Sequence, residues 1–170
     1  MCGGCRGAAG PAPPEDLLAG AGPAQRAARA AAAGRLLAGR RMRVSAWRGG
    51  YLLTAATGRA HVAASLEELW NAAGLPRAAP HRPAAGEWAE AAPPAGWDVQ
   101  AGVVWLSAAL RSGEVTEAAL PAGPAGRIAV RGPEPGRALA GLLAFGSGDG
   151  PASPGTRSSA APDASGRNAA

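Results

Sequence analysis

Apolar and polar positions alternate from Met42 onward. Met42, Val44 and Ala46 fall on one side of an extended chain, and Arg43, Ser45 and Trp47 on the other. That is the pattern of a half-buried strand. Arg48-Gly49-Gly50 is a turn signal, and Tyr51 to Ala56 is the return strand of a hairpin. Thr57-Gly58-Arg59 turns the chain again, into a short third strand around His61 to Ala63.

The pattern then switches to helical spacing. Ser65-Leu66-Glu67-Glu68 is a capping box, with the Ser65 hydroxyl placed to accept from the Glu68 amide and the Glu68 carboxylate to reach the Ser65 amide. Gly74 and Pro76 end a short helix over residues 66–73, and a Schellman motif there joins Trp70 to Leu75. Asp98 caps a second helix that runs to Ser112 and stops at Gly113. Its Val99, Val103, Leu106 and Leu110 lie within about 60° of one another on a helical wheel. Trp105 lies off that stripe. Val115 to Leu120 and Arg127 to Arg131 form a second hairpin, and Arg137 to Phe145 a last helix with Leu139, Leu142 and Leu143 facing inward. Hairpin then helix therefore occurs twice, near 42–73 and 115–145, with almost no shared residue identity. Residues 24–39 favour a helix by propensity but have no clean apolar face, because Arg26, Arg29 and Arg40 share an arc with Leu36 and Leu37.

These elements predict an α+β fold: a small single domain of two β-hairpins and three to four helices. It occupies residues 24–145, with a Pro-rich connector over 75–97. Gly/Pro/Ala-rich ends flank it, a flexible segment over 1–23 and a disordered tail over 146–170.

Composition changes how the charge is read. Ala (46), Gly (26) and Pro (16) make up 88 of 170 residues, and Lys is absent, so all 17 basic residues are Arg. Residues with GC-rich codons dominate, which points to a high-GC gene and weakens a sequence pI near 10.9 as a sign of nucleic-acid binding. The formal charge of +5 is uneven: residues 1–85 hold 11 Arg against 4 acids, and residues 86–170 hold 6 against 8. Between Gly20 and Ala64 there are 8 Arg and no acid. No apolar run is long enough for a membrane span, and no secretory signal opens the chain. Ala24 to Arg43 has the composition of an organellar transit peptide, but Glu15 and Asp16 precede it. A cytoplasmic location is the expectation.

Several chemistries are excluded. Without Lys there is no Walker A loop, Schiff base or Lys general base. There is no Gly-x-Ser-x-Gly elbow. Cys2-Gly3-Gly4-Cys5 supplies two zinc ligands, which His61 and His81 or a second chain would have to complete. Its Gly, Ala and Pro flanks lack the helix N-terminus that lowers a redox thiol's pKa. The opening Met1-Cys2-Gly3 resembles the start of class II glutamine amidotransferases and of abasic-site-crosslinking peptidase-like proteins, in which the exposed Cys is the nucleophile. That resemblance spans three residues, and the chain has no further motif of either family.

Two surfaces suggest binding. Arg40, Arg41, Arg43 and Arg48 surround Trp47, with Tyr51 after the turn, a set suited to phosphates and stacked bases. The order helix, three strands, helix over 24–73 is also that of double-stranded RNA-binding domains. Trp88 and Trp97 flank the Pro-rich connector as candidate interface anchors. The expected function is a non-enzymatic protein-interaction or regulatory module, with another protein as partner. Zinc binding and nucleic-acid binding are the alternatives.

Overall fold

The computed structural model describes residues 12–79, 87–120, 126–149 and 154. Within them the fold is α+β: five α-helices, one 3₁₀ turn and two three-stranded antiparallel sheets. The order is α1 (Pro14–Ala19), α2 (Pro23–Leu36), the 3₁₀ turn (Ala38–Arg40), β1 (Arg43–Trp47), β2 (Gly50–Thr54), β3 (Ala60–Ala63), α3 (Leu66–Ala72), β4 (Trp88–Ala91), α4 (Val99–Ser112), β5 (Glu117–Ala119), β6 (Ile128–Arg131) and α5 (Pro135–Gly146).

Both expected hairpins form; the first carries the expected third strand, and the second gains one that was not expected. The first sheet runs β1-β2-β3, with Trp47 opposite Gly50 and Tyr51 opposite Ala63. Its two-residue turn holds Arg48 at φ 41° and Gly49 at φ 86°, so both central residues are left-handed as a type I′ turn requires. The second sheet runs β4-β6-β5. Strand β4 lies inside the segment expected to be a connector. Its alternation is short, and its pairing with β6 spans about 40 residues of sequence (Trp88 opposite Arg131), so no local signal marks it.

The ordered fold also begins earlier than residue 24. Helix α1 lies in the segment expected to be flexible, with Pro at its first turn. Glu15 is only 6% exposed there. Its carboxylate accepts from the Leu66 amide at 2.6 Å, at the N-terminus of α3. Asp16 pairs with Arg26 at 2.9 Å and with Arg29. The stretch of transit-peptide composition, Ala24 to Arg43, contributes Arg29, Ala30, Ala32, Ala33 and Leu37 to the buried interior.

Helix α3 matches its punctuation closely. Ser65 Oγ accepts from the Glu68 amide at 3.2 Å, and the Leu75 amide donates to Trp70 O and the Gly74 amide to Asn71 O, both at 3.0 Å. The box differs in one bond: the Glu68 carboxylate takes the Ala64 amide (2.7 Å). Trp70 is fully buried, and its Nε1 donates to Ser107 Oγ at 2.8 Å, tying α3 to α4.

Helix α4 is the centre of the molecule and packs on α1, α2, α3 and α5. Its expected stripe is buried only in the middle: Val103 and Leu106 are covered, while Val99 and Leu110 stay 36% and 42% exposed. The deepest positions are Ala101, Val104, Ala108 and Ala109. A helix surrounded by other helices is apolar nearly all round, so no single stripe describes it. Helix α2 buries Ala30, Ala32 and Ala33. Small side chains let backbones approach closely, which compensates for the shortage of large apolar residues.

Helical glycines make room for indoles. A Cβ on Gly102 or on Gly146 would collide with the Trp97 ring, and one on Gly141 would lie 2.9 Å from the Trp105 ring. Trp97 Nε1 also donates to Leu142 O at 3.4 Å, and the Asp98 amide to Gly146 O at 2.9 Å. Trp97, expected as an interface anchor, is seated between α4 and α5, and Trp105 (3% exposed) packs toward α5.

Candidate functional site

Eight arginines between Gly20 and Ala64 were the leading charge feature of the sequence, and the fold divides them. Arg29 is fully buried on α2. Its guanidinium donates to Tyr51 Oη (3.0 Å), Glu15 O (2.9 Å), Gly20 O (3.0 Å) and Gln100 Oε1 (3.2 Å) as well as to Asp16. Gln100 donates in turn to Ala19 O at 2.7 Å. Burial raises the Tyr51 pKa above its ordinary value, and the neighbouring Arg29 only partly offsets this. This cluster joins α1, α2, β2 and α4. Among the described residues no buried side-chain nitrogen or oxygen lacks a hydrogen-bond partner. Its groups are thus used by the fold.

Three more of the eight have internal partners. Arg26 pairs with Asp16, Arg35 stacks over Phe145 at 5.0 Å, and Arg40 donates to Ala73 O (3.1 Å) and Gly74 O (3.3 Å) at the end of α3. Arg41, Arg43, Arg48 and Arg59 remain. All four are exposed, and among the described residues none has an acidic partner.

Three of them border one surface, Arg41 and Arg43 at one end and Arg48 beside Trp47 at the other; Arg59 lies in the turn before β3, opposite Ala55 and in register with the side of the sheet that carries Leu53 and His61. Strand alternation puts Tyr51, Leu53 and Ala63 into the core, so the opposite face of the first sheet carries Arg43, Thr54 and Ala60 in one row and Ser45, Leu52 and Val62 in the next. Trp47 ends that face, opposite Gly50. Trp47 is 44% exposed and Val62 68%, and the Arg48 guanidinium lies 5.3 Å from the Trp47 ring centroid. At the other end, Arg41, Arg43, Thr54 and Gly58 border an open depression of about 540 Å³. Arg43 and Trp47 are four residues apart on one strand, hence about 14 Å apart.

Of the six residues expected to make nucleic-acid or anion contacts, Arg41, Arg43, Trp47 and Arg48 are brought together here. Arg40 bonds the end of α3. Tyr51 is 1% exposed and lies on the opposite side of the sheet. Leu52 and Val62 join the surface unforeseen. The unbroken run Tyr51-Leu52-Leu53 hides the alternation that would have pointed Leu52 outward.

The second sheet presents a contrasting face. Trp88 is 44% exposed there, but Arg131 pairs with Glu117 (3.5 Å) and Arg127 with Glu90 (3.2 Å). An apolar groove of about 450 Å³ also runs between α1, α3 and α4, bordered by Leu18, Leu106, Leu110 and Val115. Its rim cations, Arg77 and Arg111, both reach Glu67.

Cys2, Cys5 and His81 lie outside the described residues, and His61 is half-buried on β3. Among the described residues no group of three or more His, Cys, Asp or Glu is placed to hold a metal ion, and no helix is long and apolar enough to cross a membrane. No family model, curated protein or solved structure matches this chain.

Proposed function

We propose that this protein is a non-enzymatic binding module whose working surface is the open face of the first sheet, and that its partner is anionic there. One observation carries the reading: an apolar patch of exposed Trp47 and Val62 with half-buried Leu52 is bordered by Arg41, Arg43 and Arg48, none of which has an acidic partner among the described residues. Exposed aromatic and aliphatic side chains in a charged frame are the usual make-up of an interaction surface. The uncompensated charge attracts an anionic partner and repels a cationic one. Binding is favoured over chemistry because the buried ionisable cluster of Glu15, Asp16, Arg29 and Tyr51 is hydrogen-bonded into the scaffold.

Retention on a polyanionic matrix tests this. Replacing Arg41, Arg43 and Arg48 with Ala is expected to lower the eluting salt concentration sharply. Replacing Arg77, Arg127 and Arg137 with Ala removes the same formal charge elsewhere and is expected to lower it much less. Equal shifts in the two variants would mean that only net charge matters and would sink the reading.

A further inference from the structure

We infer that the partner of this face is single-stranded nucleic acid, held by phosphate contacts to Arg41, Arg43 and Arg48 and by a base stacked on Trp47. This rests on the proposed working surface and names its occupant. The arginines supply a positive border, and the apolar, planar group between them identifies what the partner must offer besides charge. An acidic peptide would use the arginines and leave the exposed indole without a planar counterpart. A duplex offers phosphates, but its bases are stacked inside and leave no free π face for Trp47. A single strand presents both at once: phosphates along its backbone and unstacked bases with a free π face.

The dimensions agree. Arg43 and Trp47 point to the same side of β1, about 14 Å apart, with only Ser45 between them on that face. Thr54, Ala60 and Gly50 keep the neighbouring positions low. A strand of a few nucleotides can therefore lie across the sheet with its phosphates at the Arg43 end and a base at Trp47. Arg48, already over the indole, is placed to hold a stacked base or the phosphate beside it. Because Tyr51 faces the core, one aromatic serves this face, so the expected recognition is sequence-tolerant with a short footprint.

The test uses the full-length chain and three labelled probes at low and moderate salt: oligothymidylate, a duplex of the same length, and polyglutamate. Oligothymidylate is expected to bind tightest, with a log–log salt slope of about −2 from about three phosphate contacts. Trp47→Ala is expected to weaken it about tenfold or more while leaving the slope in place, as a lost stacking contact does. Arg41→Ala/Arg43→Ala is expected to flatten the slope, and Arg127→Ala/Arg131→Ala to change neither. Circular dichroism of each variant confirms that the fold is kept. Polyglutamate binding that depends on the same arginines, without oligothymidylate binding, would overturn this inference and keep the surface. Duplex binding as tight as single-strand binding and indifferent to Trp47→Ala would overturn it too. Failure of all three probes would remove both the inference and the working surface.

Discussion

The two sheets of this protein share a plan and differ in what they leave uncovered. Each is a hairpin plus one strand, with a helix following the hairpin segment in sequence. The first recruits β3 from the chain just after its hairpin, and the second recruits β4 from before α4. Each outer face shows one half-exposed Trp, Trp47 or Trp88. On the second sheet the charges around it are paired, Arg131 with Glu117 and Arg127 with Glu90. On the first, Arg41, Arg43 and Arg48 have no acidic partner among the described residues. A paired surface is satisfied in water, whereas like charges gathered without counter-ions carry a field that only a partner or salt neutralises. Arginine count alone did not separate the two; pairing did.

The largest test of this contrast lies within the first half, between a buried arginine and an exposed one. Arg29→Met is expected to cost about 3–5 kcal/mol, because Asp16 and the Tyr51, Glu15 and Gly20 oxygens lose their common donor. Arg43→Met is expected to stay within about 0.5 kcal/mol. Urea midpoints at unchanged m-value measure both.

In the second half the corresponding constraint is steric. Gly102→Ala or Gly146→Ala drives a methyl group into the Trp97 ring and is expected to cost about 1–3 kcal/mol. Gly136→Ala on the same helix as Gly146 meets nothing within 4 Å and is expected to be neutral or to stabilise by up to about 1 kcal/mol. Thermal melts that ranked these three alike would refute the seating of Trp97.

Alkali offers a third test, readable at one residue because the chain has one Tyr. Tyr51 has its pKa raised in the fold by burial. The folded state therefore holds its proton more tightly than the unfolded state does. That contribution is complete below the unfolded pKa of about 10 and is lost as pH rises through the higher folded value. Stability is expected to fall above about pH 10 in step with tyrosinate absorbance. Tyr51→Phe is expected to abolish that fall and to cost about 1–3 kcal/mol at neutral pH, since the Arg29 Nε donor loses its acceptor.

The smallest difference concerns helix starts. Ser65→Ala removes the hydroxyl that accepts the Glu68 amide and is expected to cost about 1 kcal/mol. Glu134→Ala, at the start of α5, breaks no side-chain cap bond and is expected to stay within about 0.5 kcal/mol.

Much of the fold was legible because it rests on neighbours a few residues apart. The Met42–Trp47 alternation, the Arg48-Gly49 turn, the Ser65 cap and the Gly74 stop each became the element they predicted. Helices α4 and α5 and the 115–131 hairpin did so too. Helix α1 and strand β4 were missed because their stability comes from distant partners: Arg29 and Leu66 for α1, β6 for β4. The candidate site was half legible. Arg41, Arg43, Trp47 and Arg48 sit where strand alternation and the turn place them. Arg40 and Tyr51 were drawn into the fold by Ala73 O and by Arg29, groups 33 and 22 residues away.

By itself the sequence determined the strands, turns and helices that carry local punctuation, since hydroxyl caps, left-handed glycines and period-two alternation act within one or two turns of chain. It also determined that arginine would be the sole cation of the basic half. Only the tertiary structure decided which arginines are structural and which are free. A guanidinium's role is set by the oxygens that surround it after folding, and those oxygens come from segments that the chain order keeps far apart.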